Sequence, residues 1–179
     1  MADFLGDGIA AGQPIIIIAT AEHRQLVVAA LKRRQFEVAD LVGAGDIALL
    51  DAAATLEMFM IDGMPEARLF RQAIGAVIDR VCEGRDRAEC VIRAYGEMVN
   101  VLWQQGRRDA AIRLEVLWNN LAHDYSFSLL CGYSMGHFYK EPAGMSDICS
   151  LHTQREILID EPTGPVELAG GGAGAAALE

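Results

Sequence analysis

The segment CVIRAYGEMVNVLWQQGRRDAAIRLEVLWNNLAHDYSFSLLCGY, residues 90–133, decides how the chain is read. A β-rich run, Cys90 to Tyr95, stops at Gly96 and Glu97, helical periodicity follows, and a second β-rich run, Phe127 to Tyr133, stops at Ser134. Two strands joined through a crossover helix lie parallel, and the crossover is nearly always right-handed, so both strands end on the same edge of one sheet. Within the crossover, Met98 to Gln105 makes a first helical piece and Gly106 breaks it. Asp109 to Asp124 makes the second piece, with Ile112, Val116, Leu117 and Leu121 toward the core. Trp103 and Trp118 fall on these stripes and read as core anchors.

Working outward, Pro14 to Thr20 (PIIIIAT) is a β-branched run without alternation, the pattern of a central strand buried on both faces. Thr20 is placed to cap the helix AEHRQLVVAALKRRQ, whose Leu26, Val27, Ala30 and Leu31 form one apolar face; its closing Lys32, Arg33 and Arg34 read as a solvated helix end. Val42 to Gly45 reads as a turn, Ile47 to Leu50 as a short strand ending at Asp51, and Ala52 to Met60 as a helix that Gly63 and Pro65 end before another begins. Glu66 to Glu83 keeps a three-and-four apolar spacing over five turns, and Met1 to Ala11 is a helical remnant that Gly12 closes. Beyond residue 133, short helical turns are expected at Met135 to Tyr139 and Ala143 to His152, and a last strand at Glu156 to Ile159. The expected architecture is α/β with three layers, a mostly parallel sheet flanked by helices. Residues 1–160 form one domain, and 161–179 form a flexible Gly/Ala-rich tail whose AAALE ending reads as a cloning scar.

A chain of 179 residues is long enough for one such domain and short for two. Its 52% hydrophobic content supports a packed core, and the longest apolar run, Ile15 to Ala19, is a strand's worth and no membrane span. No basic region leads an apolar stretch at the N-terminus, so a cytoplasmic location is expected. A formal net charge of −10 repels phosphate backbones and anionic headgroups, which argues against direct nucleic-acid or membrane-surface binding. Cys82, Cys90, Cys131 and Cys149 lie in apolar segments without a tight spacing and read as reduced thiols.

A phosphate loop of the form GxxxxGK[ST] is absent, and Gly6, Gly8 and Gly12 miss GxGxxG and precede the first strand. HExxH and CxxC are absent too, and the expectation is a chain without the common hydrolase and zinc signatures. What remains is polar groups at strand ends: Thr20, Glu22 and His23 after the first, Asp51 after the second, Gly96 and Glu97 after the third, Tyr133 and Ser134 after the fourth. If the strands are parallel, these converge on a crevice at one edge. Glu22, Asp51 and Glu97 could equally cap the helices they precede, and capping does not exclude ligand contact. Cys131, His137, Cys149 and His152 form a second group of metal-ligand types; it fits no standard finger spacing, and the same residues could instead line the crevice.

The runs GQPIIIIATAEHRQLVVAAL, LLDAAATLEMFMIDGMPEARLF, IRAYGEMVNVLWQQGRRDAAIRLEVLWNNL, FSLLCGYSM and ICSLH resemble the MEDS domain (methanogen/methylotroph, DcmR sensory domain). The resemblance runs from Gly12 to about His152. It implies a sensory module related to RecA-like and KaiC-like folds without a working phosphate loop, attached to a histidine kinase or a DNA-binding regulator and sensing small molecules, hydrocarbon derivatives being the suggested class. The motif residues it carries over are His23, Gly96, Glu97, Cys131, Tyr133 and His152, without assigning their roles. The family's usual opening strand, with a histidine and an aromatic, is expected to be missing here, which would expose a sheet edge where two copies could pair. The resulting expectation is a non-catalytic sensory domain, a homodimer without cofactor. Its small-molecule ligand meets Thr20, Glu22, His23, Asp51, Gly96, Glu97, Cys131, Tyr133, Ser134 and His152, with Glu97 and His23 foremost. The rival expectations are a degenerate nucleotide binder, a metal or redox sensor on the Cys/His group, and a plain dimerisation module.

Overall fold

The computed structural model describes residues 1–87 and 89–133. In chain order the elements are α1 (Ala2–Ala10), β1 (Ile15–Ala19), α2 (Ala21–Arg33), α3 (Val38–Gly43), β2 (Ile47–Asp51), α4 (Ala52–Glu57), β3 (Met60–Ile61), β4 (Met64–Pro65), α5 (Ala67–Val81), β5 (Ile92–Gly96), α6 (Met98–Gln104), α7 (Arg108–Leu121) and β6 (Phe127–Cys131). Four strands form a parallel sheet in the order β2-β1-β5-β6. Ile15 lies opposite both Ile47 and Arg93, and Ile92 lies opposite Phe127.

Every residue of β1 is buried, as a central strand covered on both faces requires. Ile16 and Ile18 share one face with Ala48, Ile92, Ala94 and Leu129, packed under α4, α5, α6 and α7. Ile15, Ile17 and Ala19 share the other with Ile47 and Tyr95, packed under α1, α2 and α3. The result is the expected three-layer α/β arrangement. On the first face a chain of edge-on aromatic contacts, Phe59 to Phe70 at 5.2 Å, Phe70 to Trp118 at 5.3 Å and Trp118 to Phe127 at 5.8 Å, ties α5 and α7 to β6. Trp103 and Trp118 are both buried, as core anchors should be.

Local chemistry sets the boundaries. Gly12 (φ 70) closes α1, and Gly106 (φ 74) makes the break between α6 and α7, both in the left-handed region that a side chain disfavours. Glu66 caps α5 by accepting from the Leu69 and Arg68 N–H groups, and those bonds hold its carboxyl below the usual range. No helix among the described residues is long and apolar enough to cross a membrane.

Four expectations need correction. The third strand starts at Ile92 and includes Gly96, so it lies later than the Cys90 to Tyr95 reading. The reading of Val42 to Gly45 as a turn misses α3, a six-residue helix too short for periodicity to register. The stretch between α4 and α5 is an antiparallel hairpin, Met60 opposite Pro65 and Ile61 opposite Met64, instead of a helix stop followed at once by a start. Its turn residues Asp62 (φ 48) and Gly63 (φ 83) both adopt positive φ, the geometry that matches the twist of a two-residue hairpin. Finally, Cys82 and Cys90 are joined in a disulfide, not reduced. The end of α5 and the approach to β5 bring their Cα atoms to 6.2 Å, within bridging range, a proximity that sequence spacing does not reveal. Cys131 is free; Cys149 and the segments expected beyond residue 133 lie outside the described residues.

Candidate functional site

From β1 the chain crosses to β2 on one side through α2 and α3, and from β5 it crosses to β6 on the other through α6 and α7. The carboxyl ends of β1 and β5 therefore flank the point where the winding reverses, the place where open parallel sheets leave a crevice. Thr20 and His23 follow β1 there, and Gly96 and Glu97 close β5.

Glu97 is the centre of this rim. It occupies the N-cap position of α6 but its side chain caps nothing; it turns inward and is 1% exposed. Its Oε2 accepts from the Thr20 N–H at 2.9 Å, and its Oε1 accepts from the Tyr95 hydroxyl at 2.6 Å and lies 2.5 Å from His23 Nδ1. Three partners on two oxygens compensate a carboxylate removed from water. An ionised carboxylate only accepts, so Nδ1 carries the proton in that bond and Nε2 is the nitrogen left for a ligand. His23 is 45% exposed at its side chain, so the imidazole connects a buried charge to solvent. The Thr20 hydroxyl meanwhile accepts from the His23 N–H and starts α2, which fixes the histidine's place on the first turn.

The other predicted positions separate. Asp51 caps α4 through the Ala53 and Ala54 N–H groups and receives Arg24 Nη2 at 2.9 Å, while the Arg24 Nε is buried with no hydrogen-bond partner. Glu22 is exposed in the first turn of α2. Gly96 is not spatially obligatory, since an added Cβ would meet Leu129 at 3.7 Å, an ordinary contact. Cys131 and Tyr133 gather instead around Glu115 of α7, which is 2% exposed: the Tyr133 hydroxyl donates to Glu115 Oε1. Burial first, then the Glu115 charge, pushes the Cys131 thiol far up. Burial, then Cys131 and Glu115, does the same to the Tyr133 phenol. Ser134, His137, Cys149 and His152 lie outside the described residues. Among the described residues no group of three or more His, Cys, Asp or Glu could hold a metal ion.

Three features escaped the sequence reading. Tyr95 reads from the sequence only as a strand residue, although a phenol two positions before the carboxylate at a strand's end can bend to it. Glu115 lies on the same stripe as Ala111, Leu114 and Trp118, and an acidic residue on a buried stripe is itself a signal. The expected lack of hydrolase signatures also overlooked Gly132-Tyr133-Ser134-Met135-Gly136, which has the GxSxG spacing directly after β6. Its first glycine has a packing reason of its own: a Cβ at Gly132 would lie 2.4 Å from the Tyr95 hydroxyl. The Gly132 N–H also donates to the Gly96 carbonyl at 2.9 Å, extending the β5–β6 ladder beneath Glu97.

The family model described as MEDS, MEthanogen/methylotroph, DcmR Sensory domain, matches residues 1–153. No curated protein and no solved structure gives a match. A match over that much of the chain shows the family: this chain belongs to the MEDS sensory domains.

Proposed function

We propose that this sensory domain is non-catalytic and recognises a small molecule at the rim between β1 and β5, with His23 as the contact and Glu97 as the group that sets its state. The observation that carries the reading is the buried Glu97 joined to a half-exposed imidazole at the point where the sheet's winding reverses. With Nδ1 committed to Glu97, Nε2 is the ring nitrogen that faces a ligand, and in the Nδ1–H tautomer it offers a lone pair. A hydrocarbon derivative bearing a hydroxyl or other donor meets that requirement. Binding acts by favouring one of two arrangements, because a ligand shifts an equilibrium only by its differential affinity for the two states. In this reading the change passes to a histidine kinase or a DNA-binding region, and the working unit is a homodimer in the cytoplasm.

Native mass spectrometry of freshly purified protein tests the reading by reporting retained small molecules, metal and subunit number together. The retained compound is then titrated calorimetrically into the wild type, His23→Ala and Glu97→Gln. Each substitution is expected to weaken binding about tenfold, His23→Ala by removing the contact and Glu97→Gln by removing the carboxylate that orients it. Unchanged affinity in both variants would sink the proposal.

A further inference from the structure

The disulfide lies at the opposite edge of the sheet from Glu97. Cys82 is the C-cap of α5 and Cys90 precedes β5, so the bond joins the end of one element to the approach to the next across a separation of 8 residues. It forms part of the wall of a pocket of about 270 Å³, whose other side is the turn from α7 to β6, with His123, Tyr125 and Ser126. The two sulfur-bearing residues are unequal: Cys90 is 6% exposed, whereas Cys82 is half-buried. The described residues of the connection, 83–87 and 89, are exposed and belong to neither helix nor strand. Arg87 holds that connection to both walls, 5.0 Å over the Tyr125 ring on the far side and 3.4 Å from Asp79 on α5. The core beside it is tied through the Phe59, Phe70, Trp118 and Phe127 contacts, none of which passes through the bond.

We propose that Cys82–Cys90 is a thiol-exchange site and that this pocket admits a low-molecular-weight zwitterionic thiol. The wall carries charges of both signs in solvent-exposed pairs, Arg87 with Asp79 and Asp124 with Arg71, and exposed pairs are weak enough for the ammonium and carboxylate of an incoming molecule to compete for them. The thiolate of the incoming molecule attacks Sγ of Cys82, the more exposed of the two residues. The Sγ–Sγ bond breaks as the new sulfur–sulfur bond forms, and Cys90 leaves with the electron pair and takes up a proton. A second thiol molecule then attacks the mixed disulfide, releasing the oxidised small molecule and the Cys82 thiolate. Two thiols are oxidised to one disulfide as the protein disulfide is reduced to two thiols.

The test exposes the folded protein to a series of reduced and oxidised glutathione mixtures, quenches with acid, alkylates, and maps the cysteines by peptide mass while circular dichroism follows the fold. The expected result is conversion of Cys82–Cys90 to the dithiol with an unchanged spectrum. Cys90→Ser protein should trap glutathione on Cys82, with about tenfold less on Cys90 in Cys82→Ser protein. A bond that opens only when the protein unfolds, or equal capture by the two variants, would overturn the proposal. The wild-type titration decides the matter by itself if either variant fails to fold.

Discussion

Glu97 and Glu115 are both buried carboxylates, 1% and 2% exposed, but their neighbours give them opposite characters. Glu97 sits where a strand ends and receives a backbone N–H, a phenol and an imidazole, and the imidazole reaches solvent. Glu115 sits mid-helix on α7, bonded by the Tyr133 hydroxyl and beside the Cys131 thiol, two groups that burial holds in their neutral forms. Position in the fold explains the difference. A strand end at the winding reversal opens toward a crevice, whereas a helix stripe facing a sheet is closed by packing. The first arrangement leaves a solvent-facing imidazole joined to a buried charge, and the second ties α7 to the end of β6.

The sharpest way to break this comparison is to remove the first carboxylate. Glu97→Ala leaves the Thr20 N–H, the Tyr95 hydroxyl and His23 without their acceptor, and is expected to lower unfolding stability in urea by about 3 kcal/mol. A loss below about 1 kcal/mol would mean that Glu97 does not organise the rim. Next in size is Gly132→Ala, whose Cβ would meet the Tyr95 hydroxyl at 2.4 Å. It should lose about 1–3 kcal/mol, and the loss should shrink in a Tyr95→Phe background because the two changes act on one contact. Strict additivity in that cycle would contradict the close approach.

The Glu115 side makes a different prediction, in pH. The folded state raises the Cys131 and Tyr133 pKa values, so it favours their neutral forms. Their contribution to stability is complete below about 9, the ordinary thiol value, and is lost as pH rises above it. Cys131→Ala should therefore flatten part of the alkaline fall in denaturation midpoint seen for the wild type; identical alkaline profiles would count against a buried neutral thiol. The smallest effects separate capping from bystander carboxylates. Asp51→Ala should cost about 1 kcal/mol through its cap on α4, and Glu22→Ala should stay within about 0.5 kcal/mol in the same unfolding assay.

Much of this was legible in the residues. The run Ile15 to Ala19 needs burial on both faces, and the spacing of Phe70, Ile74, Ile78 and Val81 needs a helix with one apolar side; neither depends on distant partners. The hairpin is legible too, since Asp62-Gly63 between apolar pairs is a turn signal, but Gly63 and Pro65 serve equally well as helix punctuation. The site was legible in part. Thr20, His23 and Glu97 lie within hydrogen-bond distance of one another, whereas Asp51 is engaged at α4 and Glu22 faces solvent. The overlooked GYSMG spacing shows the converse problem, because a short motif has no single meaning until its surroundings are known.

Local sequence by itself determined the longer helices and the parallel character of the main sheet, since apolar periodicity and crossover length act over a few turns of chain and constrain strand direction directly. Only the tertiary structure decided that Tyr95 would share Glu97 with His23, that Gly132 would leave room for that phenol, that Glu115 would face Cys131 and Tyr133, and that Cys82 would join Cys90. Each of these depends on side chains from separate elements coming within a few ångströms. Such distances follow from how the layers pack, and a pattern read along one strand or helix does not contain them.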